Sequence, residues 1–163
     1  KDDNVSYLRN LIKGGEGKRL EFKSSLRWDH NRDRMNRQLQ YEIARTIAAF
    51  ANTDGGILLI GVNNRGEILG VEKDINTLGI KNPIDAILLQ VDNIISTKLG
   101  TVMTTNCQTK IIEVEDKMVC CLRVNMSSKP VYVKDDDFFI RSAASTRQLK
   151  TKEVSSYIKE HWK

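Results

Sequence analysis

Six consecutive apolar or small residues, Ile57-Leu58-Leu59-Ile60-Gly61-Val62, stand between Gly55-Gly56 and Asn63-Asn64-Arg65-Gly66. The run is far short of the roughly 18 apolar residues of a membrane span, and it has no alternate polar positions with which to face water. A strand of this kind has to be covered on both faces, so the chain needs a sheet with layers packed above and below it. Two helical patterns supply that cover. Leu39, Ile43, Ile47 and Phe50 recur at helical spacing from Gln38 until Asn52-Thr53-Asp54-Gly55-Gly56 stops the helix. Ile84, Ile87, Leu88, Val91, Ile94 and Ile95 share a face between Pro83 and Leu99, and Gly100 ends that second helix.

The remaining segments are shorter. Val5, Leu8 and Ile12 mark a helix over Val5 to Lys13, within an N-terminal segment 1–15 closed by Gly14-Gly15. In Leu20-Glu21-Phe22-Lys23-Ser24-Ser25-Leu26 the alternation puts Leu20, Phe22 and Leu26 on one face of a strand and Glu21 with Lys23 on the other. Arg27 to Arg37 lacks an apolar period and reads as a mobile loop leading into the helix at Gln38. Glu67 to Val71 reads as the strand returning from the central one through a hairpin turn. Val102–Val114, Met118–Val124, Val131–Lys134 and Phe138–Arg141 read as a meander, and Val154, Tyr157, Ile158 and Trp162 mark a closing helix within 151–163. No βαβαβ repeat is present. The expectation is an α+β fold, a mixed or mainly antiparallel sheet flanked by helices, in one domain over 1–163.

Charge narrows the partner. The chain has 26 Lys and Arg against 21 Asp and Glu, a net +5, and between Lys18 and Arg45 eight cations face four anions. A basic stretch favours an anionic ligand. Cys107, Cys120 and Cys121 read as reduced thiols, and with only His30 and His161 beside them no zinc site is expected. The absence of a signal-peptide layout or a membrane-length apolar run points to a cytoplasmic protein without a membrane partner. Neither the phosphate-loop nor the dinucleotide pattern occurs, and no serine nucleophile motif is present. Glu16 and Glu21, with Lys23 beside the latter, are spaced to flank one divalent cation, magnesium or manganese, next to the cationic stretch. That is the layout of a metal-dependent phosphodiesterase. An exposed Glu21–Lys23 pair of the kind common on surface strands is the other reading.

Several motifs together point further. Gly15-Glu16, Leu20-Glu21-Phe22-Lys23-Ser24-Ser25, the stretch from Thr46 through Ala51-Asn52-Thr53-Asp54-Gly55-Gly56, and the central strand with Gly66 and Gly70 resemble the Schlafen AlbA-like domain. Pro130-Val131-Tyr132, Phe139-Ile140-Arg141-Ser142 and Ser145-Thr146 are similar to that domain's later landmarks, so the likeness runs from Glu16 to about Thr146. The resemblance implies a Schlafen AlbA-like fold and nucleic-acid binding. Such domains occur in regulators, in defence proteins and in the Schlafen core, where some members are metal-dependent endoribonucleases acting on transfer RNA. It implies that Glu16 and Glu21 bind the metal with Lys23 nearby, and that a third carboxylate belongs where this chain has Asn63-Asn64. Glu16, Glu21, Lys23, Asn63 and Asn64 are thus the candidate catalytic set, with weak cleavage expected because an amide brings no charge. In the same setting Lys18, Arg19, Arg27, Arg32, Arg34, Arg37 and Arg141 are candidate phosphate contacts, Arg141 being equally placed for a salt bridge to Glu21 or a neighbour, and Trp28 is a stacking surface for a base, with RNA preferred over DNA. The alternative is a non-catalytic regulatory module of a larger protein, either a homodimer of paired lobes or, since related chains are often described as ATP-binding, a nucleotide-binding unit.

Overall fold

The central apolar run forms the inner strand of a four-stranded sheet. A computed structural model describes residues 2–163. In it β4 (Gly56–Ile60) pairs in parallel with β1 (Leu20–Lys23) and antiparallel with β6 (Lys117–Val124), which in turn pairs with β5 (Cys107–Val114). Leu58, Leu59 and Ile60 are fully buried. Because successive side chains leave a strand on opposite faces, they feed two cores. Leu58 and Ile60 join the side chains of α2 (Gln38–Ala51) and α4 (Pro83–Leu99), while Leu59 joins Leu8 of α1 (Asp2–Gly14). The adjacent free thiols divide the same way, Cys120 into the first core and Cys121 into the second.

A separate three-stranded antiparallel sheet, β7 (Tyr132–Val133), β8 (Asp137–Ser142) and β9 (Ser145–Gln148), packs on α2 through Val133 and Phe139. Over it lies α5 (Thr151–His161), whose Tyr157, with the following Trp162, meets Phe138 edge-on. The result is α+β with a mixed main sheet flanked by helices, and no described helix is long and apolar enough to cross a membrane.

The structure corrects several expectations. Glu67–Val71 is not a strand: a single bridge, Val62 with Ile68, is all that pairs. There the amides of Leu69 and Gly70 both donate to the Gly61 carbonyl. Gly61 and Gly70 pack so closely that a Cβ on Gly61 would lie 3.1 Å from the Gly70 backbone, which turns the chain away into the short helix α3 (Glu72–Asn76). Thr101–Asn106 is a 3₁₀ helix, in which the Thr104 and Thr105 hydroxyls bond back to the Thr101 and Val102 carbonyls, so that strand begins only at Cys107. The expected meander is two units in two sheets, and β9 was not anticipated. β1 stops at Lys23, and Leu26 turns into the α2 core rather than sharing the Leu20 and Phe22 face. Arg27–Arg37 is a hairpin, β2 (Trp28–Asp29) with β3 (Arg34–Met35), not an unstructured loop. On α4, Ile84 and Leu88 are exposed while Ile87, Val91, Ile94 and Ile95 are buried.

Candidate functional site

The period of two along β1 brings Glu21 and Lys23 to the face shared with α2, and there a third residue joins them. Lys23 Nζ lies 3.4 Å from Glu21 Oε2, and Arg141 Nη2 from β8 lies 2.7 Å from Glu21 Oε1. The Arg141 side chain is 1% exposed. It also donates to the Gly17 and Leu20 carbonyls at 2.8 and 3.3 Å and to Thr146 Oγ1 at 3.1 Å, and its guanidinium lies 5.0 Å from the centre of the Phe50 ring. Arg141 is therefore a strut between the second sheet and the start of β1, not a surface contact for a phosphate. The three side chains carry a net positive charge.

A divalent metal at Glu16 and Glu21 is what the sequence led us to expect, and the donor set does not fit one. Both Glu21 oxygens already face cations, which repel a metal ion brought between them. Glu16 Oε1 accepts the Phe22 amide at 2.8 Å. Asn63 Oδ1 accepts the Arg65 and Glu67 amides at 3.0 and 2.9 Å while its Nδ2 donates to Glu67 Oε1 at 2.9 Å, so this side chain builds the turn after the central strand. That bond from Asn63, with Arg65 beside it, holds the Glu67 carboxyl below the usual range. Asn64 is the exposed member of the pair, and it alone reaches the neighbouring groove. Among the described residues no three His, Cys, Asp or Glu side chains stand together as metal ligands.

That groove, about 430 Å³, runs between the end of β1, the β2–β3 hairpin and the first turns of α2, and is lined in part by Lys23, Trp28, His30, Arg32, Glu42 and Asn64. Its hairpin wall is fixed from a distance. The Asp74 carboxylate of α3, 1% exposed, accepts the amides of Leu26, Arg27 and Trp28 at 2.8 to 2.9 Å. Burial pushes its pKa up, and the three amides work against that shift. Asp29 accepts the Asn31 and Arg32 amides and the Arg32 guanidinium, and Arg32 holds its carboxyl below the ordinary range.

The cationic residues divide by role. Arg27 bonds through Nε and Nη2 to the Thr77 hydroxyl and carbonyl, which commits it to holding the hairpin against α3 rather than to a ligand. Arg32 pairs with Asp29 and Lys18 with Asp54, both partly exposed. Arg34 and Arg37 are exposed, flank the groove residue Asn36, and have no ion-pair partner among the described residues. Trp28 is half-buried with Lys73 Nζ 5.8 Å from its ring centre, and its indole N–H has no partner among the described residues. Arg19 lies at a different cleft. Sequence reading missed His30 and Glu42 as groove residues and Asp74 as the anchor; nothing in the local pattern of Glu72–Asn76 marks its aspartate.

Residues 16–150 match the family described as Schlafen, AlbA_2. Among solved structures, the DIP2311 protein from Corynebacterium diphtheriae superposes with a TM-score of 0.63 at 18% identity, over 96% of this chain and 32% of that one. The chain thus spans about a third of that relative. The N-terminal domain of a RecG-related protein from Nitrosomonas europaea superposes with a TM-score of 0.54 at 19% identity, over 88% of this chain and 95% of that domain. At these identities the likeness is one of fold.

Proposed function

The chain belongs to the Schlafen, AlbA_2 family, and on that premise we propose that it binds RNA along the groove beside β1 without cutting it through a divalent ion. One juxtaposition carries this reading: Lys23, Trp28 and Asn64 line the groove, and the exposed Arg34 and Arg37, with no ion-pair partner among the described residues, lie on either side of its lining residue Asn36 along the chain. Cations of this kind hold phosphates, a half-buried indole offers a base a stacking face, and amide and hydroxyl groups such as Asn64 and Ser24 suit a ribose 2′-hydroxyl. Lys23, the partly exposed cation beside Glu21, suits a phosphate oxygen, while Lys23 and Arg141 together disfavour a metal ion at that carboxylate. The Nitrosomonas relative is described as related to an ATP-dependent DNA helicase, so DNA of the same sequence is the natural comparison.

Fluorescence anisotropy with labelled single-stranded RNA and DNA across a salt series tests the proposal. Affinity should fall steeply with salt, with RNA bound more tightly. Replacing Arg34 and Arg37 together by Ala should weaken binding to unrelated sequences alike and flatten the slope of log affinity against log salt by about 1.4, or about 0.7 for each phosphate that is no longer neutralised. Unchanged affinity at low salt would remove this surface from consideration. Manganese-dependent cleavage by the parent chain, abolished in Glu21→Gln, would overturn the non-catalytic half of the reading.

A further inference from the structure

A second cleft opens on the opposite face of the same sheet. Leu20, Ile57 and Arg123 stand side by side in register across β1, β4 and β6, on the face that α1 covers. The helix does not close this end. β4 is buried at every position except Ile57, which is half-buried, as are Leu11 and Leu20. The space left is a cavity of about 520 Å³ with Leu11, Leu20 and Ile57 among its lining and with Arg19, Arg123 and Asn125 around it. That volume suits a small organic ligand. Arg123 Nη2 lies 3.3 Å from the Tyr7 hydroxyl, which positions the guanidinium without neutralising it. Among the described residues no Asp or Glu lines the cavity, and neither Arg19 nor Arg123 forms an ion pair.

Two uncompensated guanidiniums beside half-covered aliphatic side chains call for a ligand that is anionic at one end and flat and weakly polar at the other. A phosphate alone would satisfy the arginines and leave the aliphatic surface wet; a purely apolar ligand would leave two charges at the mouth unanswered. We propose that this cleft binds one nucleotide unit, its phosphate between Arg19 and Arg123 and its base against Leu20 and Ile57. The planar fork of arginine matches phosphate geometry, and two such groups balance the charge of about −1.5 to −2 on a phosphate monoester, so no metal ion is needed. The site does not rest on the groove reading: it lies on the other face of the sheet and uses different residues.

The test titrates AMP and inorganic phosphate separately into the full chain, followed by amide NMR shifts and calorimetry, for the parent and for Arg19→Gln/Arg123→Gln. Both arginines are exposed, and a urea unfolding curve confirms that the double variant is folded. AMP should shift the amides of Gly17, Leu20 and Asn125 and bind about tenfold or more tighter than phosphate, an advantage of about 1.4 kcal/mol from covering the aliphatic surface. The double variant should lose about tenfold or more in AMP affinity. AMP binding no tighter than phosphate, or undiminished in the variant, overturns the proposal. An RNA arm identifies the source of the nucleotide: displacement of RNA by AMP, with weaker RNA binding in the variant, assigns the cleft to a residue of the strand, and unchanged RNA binding assigns it to a free nucleotide. Arg34→Ala/Arg37→Ala should leave AMP affinity unchanged, so failure of the groove and failure of the cleft are told apart.

Discussion

At the scale of single residues, burial decides what a charge is for. Glu21 and Lys23 were legible as neighbours because a strand has period two. The choice for Arg141 between ligand contact and salt bridge was not legible, because its partner lies on a strand of another sheet. The structure gives it Glu21, with the Arg141 side chain 1% and the Glu21 side chain 16% exposed. Removing the carboxylate leaves a buried guanidinium without its counter-charge, which costs about 3 kcal/mol in comparable pairs. Glu21→Gln should therefore shift the urea midpoint strongly, whereas Lys23→Ala, removing the more exposed partner, should cost less than about 1 kcal/mol. Equal small effects would show that the Arg141 pair does not hold the two sheets together. The asparagines teach the same lesson. Sequence places both Asn63 and Asn64 after the central strand, but only the turn geometry, with Asn63 bonded to the Arg65 and Glu67 amides, leaves Asn64 as the one that meets the groove.

Among the elements, the β2–β3 hairpin was the least legible because nothing within it is periodic and its anchor lies in α3. Three amides converge on Asp74 over a sequence separation of 46 to 48 residues, and no local pattern reports such a contact. Asp74→Ala should strand those donors and cost about 2–4 kcal/mol. It should speed amide exchange at Leu26, Arg27 and Trp28 and weaken RNA binding while leaving AMP affinity intact; retained protection at those three amides would show that the hairpin has another anchor. Acid acts on the two aspartates with opposite sign. The folded pKa of Asp29 lies below its ordinary 3.8, chiefly through Arg32, so its contribution is complete above 3.8 and is lost as pH falls through the depressed folded value. Burial raises that of Asp74 above 3.8, so its contribution is complete below 3.8 and is lost as pH rises through the folded value. Acidification below 3.8 should thus loosen the Asn31 and Arg32 amides as Asp29 loses its charge, which amide exchange at those two positions measures.

For the whole molecule, one buried amide does what the hydrophobic pattern could not reveal. The run Ile57–Val62 announced a sheet covered on both faces, and helical periodicity found α2 and α4; those follow from patterns within a segment. Hairpin signals show which strands follow one another, but not which sheet each joins, so the second sheet was merged with the first. Asn52, read only as a helix stop, is the junction. Fully buried, it donates to the Val131 and Phe139 carbonyls at 2.8 and 2.9 Å, accepts the Val131 amide at 2.9 Å, and offers its own carbonyl to the Tyr157 hydroxyl. It ties the end of α2 to the second sheet and to α5. Asn52→Ala leaves an amide and two carbonyls unpaired in the interior, a loss of about 3 kcal/mol or more. Its effect should be uneven: exchange protection should fall furthest in β7–β9 and α5 and least in β4 and β6, because the main sheet keeps its own two cores. Tyr157→Phe, which deletes one bond and keeps the ring packing, should cost about 1 kcal/mol with the change confined to α5. An equal loss of protection in both sheets in either variant would mean that the two layers unfold as one unit and that Asn52 is not what couples them.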